Sequence, residues 1–198
     1  MCTLEILFIT IITCSVLAWL KPGLQDKLVQ ESYAIRHHKE GYRLITHAFV
    51  HLNIFHLTVN AVMFRDFGRV FLEQQAMSSQ KDLHFLLLFF GGVLFSGCIT
   101  HFQYAKEFEK YLGASAGIFS IAVATTLADP MMKVRSCGVI LLPAWETFLI
   151  LTSIDFLLRN KATGIDHKGH LAGAFYGLLF ALYLNPNVLS EAWDKIKL

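Results

Sequence analysis

Residues 166–184 read DHKGHLAGAFYGLLFALYL, a polar opening that holds two histidines and then an apolar run without a single charge. A helix rises about 1.5 Å per residue and the hydrocarbon core of a bilayer is about 30 Å thick, so roughly 20 mostly apolar residues cross it. The stretch 167–184 therefore reads as a membrane helix. Its histidines make it informative, because ionisable groups at the edge of lipid are costly and point to function.

Working outward, five further apolar runs occupy 4–20, 54–72, 83–102, 112–127 and 137–158. The predicted fold is an all-α membrane protein, a bundle of six transmembrane helices forming one domain over residues 1–198. Composition agrees: 55% of residues are hydrophobic and 16% charged, against about a quarter charged in soluble proteins. The net charge of +2 is small and dispersed, which argues against nucleic acid as a partner. The first run lacks a basic leader and a small-residue cleavage site, so it reads as a helix and not a signal peptide. A long polar stretch, 21–43, is expected to be a structured loop at the membrane surface. Lys and Arg are spread over both sets of loops, so charge alone assigns no orientation.

Three polar groups stand at the starts of the second, fourth and sixth runs: His51, His56 and Asn60 in HLNIFHLTVN, Ser115 in GASAG, and His167 and His170 in DHKGHLAG. Even-numbered helices start on the same side of a membrane, so these groups share one depth. The chemistry this suggests is a serine nucleophile, Ser115, with His170 as its base. Ser115 lies among Gly113, Ala114, Ala116 and Gly117, and His170 shares a helix face with Gly173 and Gly177. Small residues let helix backbones approach, which would bring serine and histidine together. The first turn of a helix at Ser115 offers free N–H groups to an oxyanion. His56 and Asn60, one turn apart, are side-chain candidates for the same oxyanion site. No metal or other cofactor is called for, HExxH being absent. Glu146 and Asp155, in the fifth run, receive no role.

These residues resemble the rhomboid family of intramembrane serine proteases. The family's His-x4-His-x3-Asn matches His51, His56 and Asn60; its Gly-x-Ser matches Gly113 and Ser115; its His-x2-Gly-x3-Gly matches His170, Gly173 and Gly177. Tyr42 and Arg43 match an aromatic-Arg pattern, and His47 a further position. Ala116 stands where the family often has Gly. The resemblance implies a Ser115–His170 dyad, an oxyanion hole at His56 and Asn60, and His51 and His47 as supporting polar groups, with Gly117, Gly173 and Gly177 packing helices. Asp166 is then a loop charge and not a third catalytic member, and His167 begins the sixth helix. The implied substrates are transmembrane proteins cleaved in or beside their helices within the lipid bilayer. The compact form is most similar to small bacterial members, implying a multi-pass protein of the bacterial inner membrane, with a eukaryotic organelle as the alternative source. Two other readings compete: an inactive rhomboid-like protein that binds transmembrane clients, and a histidine-lined transporter. The transporter would call for polar residues through the whole membrane depth.

Overall fold

The computed structural model describes residues 2–103, 109–136, 140–160 and 165–197, and these are mostly helical. The first apolar run is α1 (Thr3–Leu20). The stretch that follows is structured, as expected. It comprises α2 (Pro22–Leu28), the short strand β1 (Gln30–Glu31), α3 (Ser32–His38), α4 (Arg43–Thr46) and a 3-10 turn at His47–Phe49. The buried Arg43 side chain holds this segment together, donating to the carbonyls of Asp26 at 2.6 Å and Val29 at 2.8 Å and pairing with Glu40. Gln30 ties it to the bundle by donating to the Gly97 carbonyl at 2.7 Å.

The second and third runs are α5 (Ile54–Gln74) and α6 (Lys81–Gln103). Asn53 caps α5, its side chain accepting from the His56 N–H at 2.9 Å, which satisfies one of the unpaired donors of the first turn. A short strand, β2 (Lys110–Tyr111), pairs antiparallel with β1. The fourth run becomes helical only at Ser115, as α7 (Ser115–Ala128), later than the expected 112. The cause is Gly113, whose φ of +118° lies outside the helical range and is open mainly to glycine.

The fifth run departs most from expectation. Its first described residues form a strand, β4 (Ile140–Pro143), which pairs antiparallel with β3 (Lys133–Ser136) just before the run, and α8 (Ala144–Leu158) starts only after Pro143, which is extended with ψ 144°. Cys137, placed at the start of that run, lies outside the described residues. The other three cysteines are free, Cys14 and Cys98 half-buried and Cys2 exposed. The sixth run is α9 (His167–Leu184), as read. An unanticipated amphipathic helix, α10 (Val188–Lys197), follows Pro186 and is bent by 101° from α9.

α7 is the centre of the bundle. Its residues are buried from Ala116 to Thr126, and it packs on α9, α6, α5 and α8. Phe64 and Phe71 of α5 pack ring against ring on Phe85 and Phe89 of α6, and Phe67 is buried as well. Large apolar side chains such as Leu87, Leu94, Leu149, Leu157, Phe175 and Leu179 point outward. That is the surface a lipid-facing bundle presents. By length and composition, two of the described helices, α1 and α6, are able to cross a membrane, or three if α9 and α10 count as one bent span. α7 is shorter, about 21 Å for its 14 residues.

Candidate active site

α7 and α9 meet through the small residues singled out in the sequence. A Cβ added to Gly173 would come within 2.8 Å of the Ala116 carbonyl carbon and 3.0 Å of its Cα, with the oxygen closer still. One added to Gly177 would lie 2.7 Å from the Ser120 Cα. The absence of side chains at both positions lets the two backbones touch. Gly117 serves a different neighbour: its missing Cβ leaves room for Phe89 of α6, whose carbonyl oxygen would be 2.9 Å away. The residues that must be glycine for α7 to meet α9 are thus Gly173 and Gly177 on α9, and Ala116 and Ser120 offer their backbone to that contact.

This close approach brings Ser115 and His170 together. Ser115 Oγ lies 2.7 Å from His170 Nε2, on helices whose residues are 55 positions apart in the chain. Phe119, one turn after Ser115, stacks its ring on the imidazole at a centroid distance of 4.7 Å and an interplanar angle of 13°. Ser115 is the first residue of α7, so its N–H belongs to the turn whose donors have no intrahelical partner.

The backbone leading into Ser115 is stapled by two of the supporting histidines. The Gly113 N–H donates to the His47 carbonyl at 2.9 Å, and the Ala114 N–H to His51 Nε2 at 3.3 Å. His51 Nε2 therefore carries a lone pair, and Nδ1–H donates to Ser15 Oγ at 2.9 Å. Trp19 Nε1 donates to the His51 carbonyl at 2.7 Å, which fixes the residue from a third direction. His47 is held in turn by its Nδ1, which donates to the Arg43 carbonyl at 2.9 Å. Burial keeps both rings neutral, lowering the His51 pKa to about 3 and the His47 pKa in the same direction.

His56 and Asn60 lie beside the same segment. The His56 ring covers Gly113, where a Cβ would be 2.9 Å from both Cε1 and Nε2, so sterics as well as φ require glycine there. His56 also packs edge-on against His51 with centroids 5.0 Å apart. Asn60 is buried and lines a crevice next to Ala114, and its amide donates back to the His56 carbonyl at 2.9 Å.

Two acidic residues have other roles than expected. Asp166 is not a loop charge. It caps α9, accepting from the Gly169 N–H at 2.8 Å and from Thr100 Oγ1 at 2.9 Å. Asp155, without a role in the sequence reading, is buried against the site. Its Oδ1 is 3.0 Å from His170 Nδ1 and 2.6 Å from His167 Nδ1. An acidic residue near the end of an apolar run was the available signal, and its partner 15 residues on was not readable from spacing. The donor atoms of Asp155, His167 and His170 lie within 4.8 Å of one another and are the set best placed for a metal among the described residues. They already bond to each other, which is the pattern of a hydrogen-bonded cluster. Glu146 sits in the first turn of α8, where a carboxylate faces the positive end of the helix dipole.

A serine lies beside a histidine where two helices of an apolar bundle meet, and the rhomboid resemblance names the same two residues as its pair; that His47 and His51 hold the backbone before the serine was not part of it. The rhomboid domain profile matches residues 38–187, well over half of the chain, and the chain belongs to the rhomboid family. With its apolar helices, that membership makes it an integral membrane protein. It is 28% identical over 156 residues to rhomboid-type serine protease 2 of Neurospora crassa, an alignment covering 73% of this chain and 53% of that protein. The chain thus spans about half the length of the curated relative it matches.

Proposed function

We propose that this chain is an intramembrane serine protease that hydrolyses peptide bonds in or next to transmembrane helices of membrane-protein substrates. The observation that carries the reading is the 2.7 Å approach of Ser115 Oγ to His170 Nε2. In the first step His170 takes the hydroxyl proton as Ser115 attacks the scissile carbonyl carbon. The oxyanion that forms is met by first-turn N–H groups of α7, with His56 and Asn60 as side-chain donors. His170 then returns the proton to the leaving amine, and water, deprotonated by the same ring, releases the acyl group from Ser115. The reaction uses no metal and no cofactor.

The fold goes with this reading as one domain over residues 1–198, with α1, α5, α6, α7, α8 and α9 as six membrane passes and the site near the level where α5, α7 and α9 begin. The curated relative is fungal, so the reading is for a multi-pass membrane protein and drops the bacterial inner membrane. A client-binding protein without activity is the competing reading, and the intact serine–histidine contact favours the enzyme.

A bond inside a regular helix is shielded, so local unwinding precedes attack. Gly and Pro weaken a helix interior by roughly 1 and 3 kcal/mol relative to Ala. The test is cleavage in proteoliposomes of two single-helix substrates, one containing Gly near the scissile bond and one built of Leu. Preferential cleavage of the first, lost in Ser115→Ala, supports the proposal; equal cleavage of both, or cleavage by Ser115→Ala, refutes it.

A further inference from the structure

His170 is fixed on three sides. Ser115 meets Nε2, Phe119 covers one face of the ring, and Asp155 of α8 meets Nδ1 at 3.0 Å. An ionised carboxylate only accepts hydrogen bonds. The proton of the neutral imidazole therefore sits on Nδ1, and the Nε2 lone pair is the one aimed at the serine hydroxyl. The carboxylate is itself oriented, because His167, one turn before His170 on α9, donates from its Nδ1 to the same Oδ1. Asp155 is 4% exposed, so the bond is shielded from water. Asp166 is nearer in sequence but is occupied elsewhere, by the Gly169 N–H and Thr100.

We infer that Asp155 is a positioning residue of this site, holding His170 in the Nδ1–H tautomer and facing the imidazolium that forms when Nε2 takes the serine proton, while His167 orients the carboxylate. The inference rests on the protease reading and extends its two-residue mechanism by a third, anionic member supplied by α8. No proton passes to Asp155. The Ser115 proton moves to Nε2, both ring nitrogens are then protonated, and the carboxylate remains an acceptor throughout. Interactions realised as charge develops act on the transition state more than on substrate binding. The expected signature is therefore a loss in kcat with KM little changed.

The experiment uses the full chain in detergent, labelled with [15N]histidine, with His170 identified by the signals missing in His170→Gln. The wild type should show His170 as the Nδ1–H tautomer, and Asp155→Ala should release it to a mixture with the Nε2–H form. A residue acting only in packing would leave the tautomer unchanged. Asp155→Asn should lower kcat by at least about 100-fold, with KM within about threefold of wild type. If both variants fail to fold, the wild-type spectrum decides: an Nε2–H resting tautomer overturns the inference. Failure of the protease reading shows separately, as absence of fluorophosphonate label on Ser115 of the wild type. A normal label on the wild type together with Asp155→Asn kcat within threefold of wild type overturns the positioning role alone.

Discussion

Gly173→Ala tests whether backbone contact between α7 and α9 sets the active geometry. The new methyl would stand 2.8 Å from the carbonyl carbon of Ala116 and 3.0 Å from its Cα, where ordinary contact begins at 3.4 Å. The carbonyl oxygen is nearer still, and backbone has no rotamer to escape into. Relieving the overlap needs the helices to part by about 1 Å, and overpacking of this kind costs about 1–3 kcal/mol. Ser115 and His170 sit on these two helices, so the same movement would open their 2.7 Å contact to about 3.7 Å, past the range for proton transfer. A misplacement of that size lowers rate by roughly 100-fold. The assay pairs thermal denaturation in detergent with kcat on one transmembrane substrate. Gly91→Ala is the control, because its methyl would meet the outer end of a side chain and not backbone: Tyr176 can turn aside at the loss of its bond to the Leu87 carbonyl. Gly173→Ala with wild-type melting temperature and kcat would refute the argument from backbone contact.

Three further outcomes are expected. Ser115→Ala, His170→Ala and the double variant should be equally inactive, since the two residues act as a unit, and measurable turnover in any of them counts against the pair. His56→Ala and Asn60→Ala should each lower kcat by up to about 10²–10³ without abolishing it, because backbone donors remain; unchanged kcat in both removes these side chains from the oxyanion site. Stability should fall as pH drops from about 6.5 toward 3. His51 is held neutral in the fold with a pKa of about 3, whereas the unfolded chain protonates it near 6.5, so its contribution is complete above that value and shrinks by about 1.4 kcal/mol per pH unit below it. His47 acts in the same direction, and a melting temperature equal at pH 7 and pH 5 would contradict both.

Much of the site was legible because its residues repeat at helical spacing. Gly173 and Gly177 lie on the face of His170, and that face meets Ala116 and Ser120 of α7. The second and sixth runs became helices near their expected bounds, where Asn53 and Asp166 supply caps. The fifth run misled because continuous apolarity does not separate helix from strand, and its exposed Ile140 and Leu141 pair antiparallel with Ser136 and Arg135 of β3. α10 was missed since its apolar residues are interleaved with charged ones and form no continuous run, although Pro186 marked the break before it. Asp155 could not be placed from spacing: its partners lie on another helix, and which carboxylate reaches His170 is decided by the way α8 packs against α9. The backbone roles of His47 and His51 were likewise hidden, since carbonyl and ring acceptors for Gly113 and Ala114 arise only from tertiary contact.

The most direct measurement is the mapping of covalent label after treating the detergent-solubilised wild type and His170→Ala with a fluorophosphonate. A phosphorus electrophile of this kind reacts with a serine whose proton a neighbouring base removes. Modification of the wild type is expected at Ser115 alone, blocked by prior incubation with a transmembrane substrate, with no modification of His170→Ala. An unlabelled Ser115 in a folded wild type, or equal labelling of Ser115 in His170→Ala, would contradict the claim that this serine and histidine form the catalytic pair.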